Sequence, residues 1–310
     1  MLPYRGRFAP SPTGDLHLGS LATALVAWLR ARSQDGELIL RVEDLDTPRV
    51  VAGSEARQLD DLRWLGLDWD EGPDAGGAAG PYRQSERAAH YEAALAQLAG
   101  LGVLYLCDCS RAEIAQSASA PHAGEEGPPY PGTCRRFGMR VREWKRPPAV
   151  RLAVPERTIT VVDAVQGAVT QDVAREVGDF VLKRGDGVYA YQLAVVVDDL
   201  EMGITEVVRG VDLLSSAPRQ ALLAEMLDGT PPAWMHVPLV LAADGSRLQK
   251  RTPSHTLAEA RATGVSPQAM VARLARTLGL GGAEDADQPR ALVGVFALAA
   301  LRGKREIRLA

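Results

Sequence analysis

Two stretches far apart in the chain carry the residue types that handle phosphate. Pro12-Thr13-Gly14-Asp15-Leu16-His17-Leu18-Gly19-Ser20 brings small residues and a histidine to the point where a helix-spaced apolar run begins. A helix N-terminus presents unpaired backbone N–H groups and the positive end of the helix dipole, and both favour phosphate. Gly19 lets the backbone approach a flat ring closely, and His17 can donate a hydrogen bond to a phosphate oxygen. Near the other end, Arg247-Leu248-Gln249-Lys250-Arg251 comes after the turn Asp244-Gly245-Ser246 and offers cations as a partner to that loop. A third group is of another kind. Cys107-Asp108-Cys109 and Cys134 supply three thiolates, one short of the four ligands that structural zinc takes. His122, in the loop between them, is a conventional fourth ligand. Three clustered cysteines in a long chain do not look like a disulfide framework.

These residues need a scaffold. Residues 4–8 read as a strand, and Leu18, Leu21, Ala22, Leu25 and Leu29 then recur at helical spacing. Residues 37–42, short and apolar, read as a second strand that closes a βαβ unit, which argues for a parallel sheet with nucleotide at the carboxyl ends of its strands. Two amphipathic helices are expected at 54–67, with Ser54 as N-cap, and at 85–101. Residues 107–134 show little periodicity and need a clamp to hold a shape. Between 150 and 173, β-branched residues alternate with polar ones, which predicts short antiparallel strands. A helix from Tyr191, a strand at 204–208 and a helix at 216–227 come next. From Ser266, an N-cap before Pro267, the pattern reads as helical to the end.

The His17-x-Gly19 start and the 247–251 cluster together resemble the signature pair of the class I aminoacyl-tRNA synthetases. Arg7-Phe8-Ala9-Pro10-Ser11-Pro12-Thr13-Gly14, Arg41-Val42-Glu43-Asp44-Leu45-Asp46, Tyr191-Gln192-Leu193-Ala194-Val195-Val196-Val197-Asp198-Asp199 and Val208-Arg209-Gly210-Val211-Asp212-Leu213 resemble the glutamyl branch, in order, over residues 4–255. Within that branch the chain is most similar to the short glutamyl-queuosine tRNA(Asp) synthetases. The resemblance implies an α/β, Rossmann-type catalytic domain whose halves are 1–103 and 179–242. A zinc-bearing acceptor-binding insertion would occupy 104–178, and the mobile Lys250 loop with a helical stem-contact region 243–310.

The chemistry implied is activation of L-glutamate by ATP with Mg2+, without tRNA, to glutamyl-adenylate, then transfer of glutamate to queuosine in the anticodon of tRNA(Asp). A substrate with two carboxylates and one ammonium asks for arginines and an acid. Arg7 and Arg209 suit the carboxylates and Glu43 the ammonium. The resemblance assigns Arg7, Phe8, Ala9, Pro10, Ser11, Glu43, Tyr191 and Arg209 to glutamate, and His17, Gly19 and Lys250 to ATP, with His17 and Lys250 catalytic. Lys250 would stabilise charge developing on the phosphates. The loop departs from the family's Lys-Met/Leu-Ser-Lys, with Arg247 for the first lysine and Gln249 for the serine. The resemblance also points to Tyr130 as fourth ligand of a structural zinc beside Cys107, Cys109 and Cys134, with His122 the alternative. The basic run 135–151, answered by the single acid Glu143, reads as a phosphate-contacting surface, and Arg302, Lys304, Arg305 and Arg308 form a second cluster.

Full glutamyl-tRNA synthetases carry a large anticodon-binding domain after this loop, whereas 59 residues lie beyond Arg251 here. The rival readings are a minimal synthetase esterifying the tRNA 3′ end and a non-catalytic RNA-binding relative. Composition is ordinary for a soluble globular protein and by itself names no function. The chain has 310 residues, 46% hydrophobic and 24% charged, with a net charge of -4. RNA contact must therefore use local basic patches. The longest apolar run, 291–301, falls short of the ~18–20 residues that span a bilayer, and no signal peptide precedes the first strand. A cytoplasmic monomer without membrane contact is expected.

Overall fold

The computed structural model describes residues 3–110, 112–114, 129–246, 248, 256–282 and 288–310. Strand β1 (Arg5–Phe8), helix α1 (Leu18–Arg32) and strand β2 (Glu37–Leu40) form the expected βαβ unit, with β1 and β2 parallel and Phe8 opposite Leu40. Helix α1 is apolar nearly all round because it is covered on most sides: Leu21, Val26, Leu29 and Ala31 are inaccessible. It lies against the sheet and also meets elements from the C-terminal end of the chain. Helices α2 (Ser54–Trp64) and α3 (Ala88–Gly100) come next. Ser54 is not the N-cap of α2. Gly53, at φ 72°, takes that position, and the Ser54 hydroxyl turns back to bond Gly14.

Strands β3 (Leu104–Cys107), β4 (Ala149–Leu152) and β7 (Val181–Lys183) make a small antiparallel sheet. The hairpin β5 (Thr158–Asp163) and β6 (Gly167–Asp172) is antiparallel, as the alternation predicts. It does not stay with the small sheet: β5 runs beside β9 (Ala233–Val237) and widens the central sheet, so strand pairing crosses the 104–178 boundary. After the short α4 (Val173–Glu176) come α5 (Tyr191–Glu201), β8 (Glu206–Gly210) and α6 (Ala217–Met226). The central sheet has the order β2-β1-β8-β9-β5-β6, with all but β6 parallel. From β1 the chain crosses outward to β2, and from β8 it crosses the other way to β9. The carboxyl ends of β1 and β8 therefore flank a switch point, where open α/β sheets bind ligands.

The C-terminal stretch departs from the expected run of helix. Strand β10 (Leu239–Leu241), helix α7 (Leu257–Ala262) and helix α8 (Pro267–Leu278), capped by Ser266, are regular. Gly279, at φ 69°, then ends α8 in a left-handed cap. Beyond it the chain forms 3-10 turns at Pro289–Val295 and Leu298–Ala300, and strand β11 (Glu306–Arg308), parallel to β10. The buried Leu292 and Leu301 come from this turn-rich stretch, whose apolar spacing imitates a helix. Among the described residues no helix is long and apolar enough to cross a membrane.

Candidate active site

A cleft of about 690 Å³ opens at that switch point. Every described residue assigned to glutamate or ATP lines it: Arg7, Phe8, Ala9, Pro10, Ser11, His17, Gly19, Glu43, Tyr191 and Arg209. Lys250 lies outside the described residues, as do Arg247, Gln249, Arg251 and His122. The structure thus collects into one concavity residues drawn from β1, the start of α1, the segment after β2, the start of α5 and the end of β8.

At the α1 end, His17 is the N-cap, and its Nδ1 accepts from the backbone N–H of Ser20 at 3.0 Å. An accepting Nδ1 leaves the ring proton on Nε2 when His17 is neutral. Gly19 has little spare room: a Cβ there would stand 3.1 Å from His17 Nδ1. Helix α2 holds the preceding loop. Ser54 Oγ donates to Gly14 O at 2.6 Å, and Gln58 Nε2 donates to Gly14 O at 2.7 Å and to Ser11 O at 3.1 Å.

At the sheet end, Arg41, with no exposed side-chain surface, donates to Asp199 Oδ1 at 2.7 Å and to Glu43 Oε1 at 3.1 Å. Arg7 donates to Val208 O at 2.8 Å and to Asp199 Oδ1 at 3.3 Å. Asp198, beside it on α5, takes Arg87 at 2.6 Å, Gln84 at 2.8 Å and Tyr91 at 3.1 Å. Burial opposes ionisation of Asp199, but Arg41 and Arg7 outweigh it and hold the carboxyl below its ordinary range. For Glu43 the balance goes the other way. Burial raises its pKa despite Arg41 and Arg7, so a cation brought to it would relieve a poorly compensated carboxylate.

Asp199→Asn is expected to lower unfolding stability by about 3 kcal/mol, because the carboxylate shared by two buried arginines is lost, leaving Arg41 with Glu43 and the more distant Asp198, and Arg7 with no carboxylate bonded to it among the described residues. Urea unfolding measures this, and a loss below ~1 kcal/mol would contradict the role given to the pair. Asp199 has a depressed folded-state pKa, so its contribution is whole above the unfolded value of ~3.9 and disappears as pH falls through the folded value.

Arg209 is the exception in this network. It is 5% exposed, and its partners are all uncharged: His236 Nε2 at 2.9 Å, Gln220 Oε1 at 2.8 Å, Leu213 O at 3.1 Å and Tyr191 Oη at 3.2 Å. Among the described residues no carboxylate pairs with it. Burial lowers its pKa and Arg7 adds to the fall, while Tyr191 and, without bonding it, Asp199 and Glu43 oppose it. A buried guanidinium at a cleft wall without an acid of its own is a seat for an anion. Tyr191, by accepting from Arg209, keeps its own O–H as a donor.

The cysteines meet at the end of β3. The sulfurs of Cys107, Cys109 and Cys134 lie within 4.8 Å of one another, with Cys109 and Cys134 at 3.7 Å, far too long for a disulfide. Tyr130 Oη stands 3.3 Å from Cys107 Sγ and 3.6 Å from Cys109 Sγ. A tetrahedron with bonds of ~2.3 Å to sulfur and ~2.0 Å to oxygen has edges of ~3.8 Å and ~3.5 Å; the Cys109–Cys134 distance and the two from Tyr130 match these edges, while the sulfurs spread to 4.8 Å and would draw in around an ion. Gly178 makes room for Tyr130: at φ 71°, its Cβ would come within 2.8 Å of the Tyr130 backbone. The three cysteines can therefore hold a metal ion such as zinc.

The basic run beyond them is less available than its sequence suggests. Arg135 pairs with Asp179, Arg142 with Asp108, and Lys145 and Arg146 with Glu113 at 3.0 and 3.1 Å. Arg151 is buried, donates to Asp179 O at 2.7 Å and lies over the Tyr130 ring at 4.2 Å. The acids that answer this run come from before and after it in the chain. Much of it buttresses the cysteine cluster, and the phosphate-contacting reading narrows accordingly.

Residues 4–287 match the family described as tRNA synthetases class I (E and Q), catalytic domain. A glutamyl-Q tRNA(Asp) synthetase of Symbiobacterium thermophilum is 50% identical, over 95% of this chain and 92% of its own length. The chain belongs to the glutamyl-Q tRNA(Asp) synthetase family. Family members from Nitratidesulfovibrio vulgaris and Deinococcus radiodurans are 46% and 51% identical, over 96% and 88% of this chain and 93% and 88% of their own. Among solved structures, a glutamate tRNA ligase from Elizabethkingia meningosepticum, in complex with its amino acid, superposes with a TM-score of 0.84 at 29% identity. That match takes in 100% of this chain and 67% of the ligase.

For a member of this family, the sequence motifs locate the cleft residues but not what orients them. Arg41 and Asp199 stand inside the quoted motifs, where a doubled aspartate closing an apolar helix is the available signal. Gln220, His236 and Asp163 lie outside them and carry no signal short of the fold.

Proposed function

We propose that the cleft activates L-glutamate with ATP and that the glutamyl group is then transferred to queuosine in the anticodon of tRNA(Asp). The arrangement that carries the first half brings a buried Arg209, which no carboxylate pairs with among the described residues, into one cleft with the carboxylate of Glu43, which suits a substrate bearing both carboxylate and ammonium. Its other carboxylate fits Arg7 and Ser11. A carboxylate oxygen of glutamate attacks the α-phosphorus of ATP, the bond to the β-phosphate oxygen breaks, and pyrophosphate leaves with that electron pair. His17, Gly19 and the N-terminus of α1 receive phosphate oxygens, and Lys250 neutralises charge on them as it develops. A hydroxyl of the acceptor then attacks the activated carbonyl and releases AMP.

The acceptor is proposed from the family members above, whose names specify it and with which this chain shares nearly their whole length. The test of activation is exchange of labelled pyrophosphate into ATP. Exchange that requires glutamate and proceeds without tRNA is expected; no exchange would leave an RNA-binding relative as the better reading.

The cysteine cluster is proposed to hold one structural zinc through Cys107, Cys109, Cys134 and Tyr130. Without a cation, burial and the neighbouring thiols push the Tyr130 hydroxyl far above its ordinary pKa, and burial lifts Cys109 to about 11. Four protein ligands leave no open position for catalysis. Purified protein is expected to contain about one zinc per chain, and Cys134→Ser to lose most of it and unfold at a lower temperature. Elemental analysis showing a tenth of an equivalent or less in zinc-replete protein would contradict this.

A further inference from the structure

Arg209 and His236 stand directly opposite one another on β8 and β9, and His236 has no exposed surface. Arg209 Nε donates to His236 Nε2 at 2.9 Å. A guanidinium only donates, so Nε2 must offer its lone pair and the imidazole proton must sit on Nδ1. That proton goes to Asp163 Oδ2 at 2.6 Å. Asp163, at the end of β5, is fixed in turn: its Oδ1 accepts from the backbone N–H groups of Val165 at 2.9 Å and Gln166 at 2.8 Å, and Oδ2 from that of His236 at 3.0 Å. Adjacent strands thus supply a carboxylate, an imidazole and a guanidinium in a line, and Arg209 is the member that reaches the cleft.

We propose, on the reading of the cleft given above, that Asp163 and His236 are positioning residues for glutamate: Asp163 holds the imidazole as its Nδ1–H tautomer, and Nε2 then anchors Arg209 Nε so that the far edge of the guanidinium faces the substrate carboxylate. Neither residue lines the cleft. Burial keeps His236 below the ordinary imidazole pKa, Asp163 opposes this, and the charges of Arg209 and Arg7 reinforce it. The ring therefore stays an acceptor toward Arg209.

The bonding of Asp163 dictates the test. In Asp163→Asn the carbonyl oxygen is kept on the side of the Val165 and Gln166 N–H groups, where it also takes the His236 backbone N–H, 3.2 Å from Oδ1, so the amide NH2 faces His236 Nδ1. The ring must then accept there and carry its proton on Nε2, donor against donor with Arg209, in a side chain of unchanged shape. In pyrophosphate exchange, Asp163→Asn is expected to raise KM for glutamate at least ~10-fold, the size of a lost bond to a charged group. KM for ATP should move by less than about twofold. Nitrogen-15 NMR of the histidines, five in the chain, should show the His236 proton moved from Nδ1 to Nε2 before any substrate is added. In the chain with Asp163 intact, His236→Gln, which can donate to Asp163 and accept from Arg209, should keep KM for glutamate within about threefold of wild type, and His236→Leu should not.

Glutamate-dependent exchange in the wild type with an unchanged KM in Asp163→Asn overturns this inference alone. If that variant does not fold, a wild-type His236 protonated on Nε2, or equal KM values in the Gln and Leu variants, overturns it. Exchange that does not depend on glutamate overturns the reading of the cleft and this inference with it.

Discussion

Arg209→Lys should cut kcat/KM for glutamate by two to three orders of magnitude, about 2.7–4 kcal/mol at 1.36 kcal/mol per tenfold, while KM for ATP stays within about twofold. Lysine keeps the charge but not the fork. Arg209 bonds His236, Gln220, Leu213 and Tyr191 at once, and this grip holds its charge at the cleft wall. A single ammonium cannot satisfy those partners and a substrate carboxylate together. Steady-state exchange kinetics over both substrates measure the effect. A change below threefold would mean that Arg209 is part of the packing and not of the recognition.

The second large effect belongs to the 247–251 loop. Lys250→Ala is expected to lower the rate of glutamate-dependent exchange by roughly 10²–10³, the scale of a lost transition-state donor. KM for glutamate should change by less than about threefold, because the lysine is assigned to phosphate and not to the amino acid. Unchanged exchange would remove Lys250 from the mechanism. Arg247→Lys, which restores the family's usual residue, should leave exchange within about threefold of wild type, since the positive charge is kept.

Much of this cleft is legible in the chain because its residues sit in contiguous runs at strand ends and helix starts. Arg7 and Phe8 end β1 and Ala9 to Ser11 continue from it, Glu43 lies just past β2, and Arg209 lies near the end of β8. Type and position therefore coincide in one motif each. Contacts that cross between strands are not legible in this way. Sequence pairs Glu43 and Arg7 with substrate alone, yet Arg41 and Asp199 bond both of them and set their charge balance. The 135–151 run shows only Glu143 against its cations because the acids that pair with it, Asp108, Glu113 and Asp179, are distant in sequence and adjacent only in the fold. The tail misleads for a local reason. Glycines at 279, 281, 282 and 303 break any helix, while 3-10 turns keep an apolar spacing of three that a helix-period reading accepts.

The central claim is that glutamate activated in this cleft goes to the queuosine base. It is tested by incubating the enzyme with labelled glutamate, ATP and magnesium, and with tRNA from ordinary cells or from cells unable to make queuosine. Label confined to the queuosine-containing pool, and still incorporated when the 3′-terminal adenosine has been removed from the tRNA beforehand, is the predicted result. Equal label in both pools, absent from tRNA trimmed of its 3′-terminal adenosine, would contradict it and make the enzyme a minimal glutamyl-tRNA synthetase.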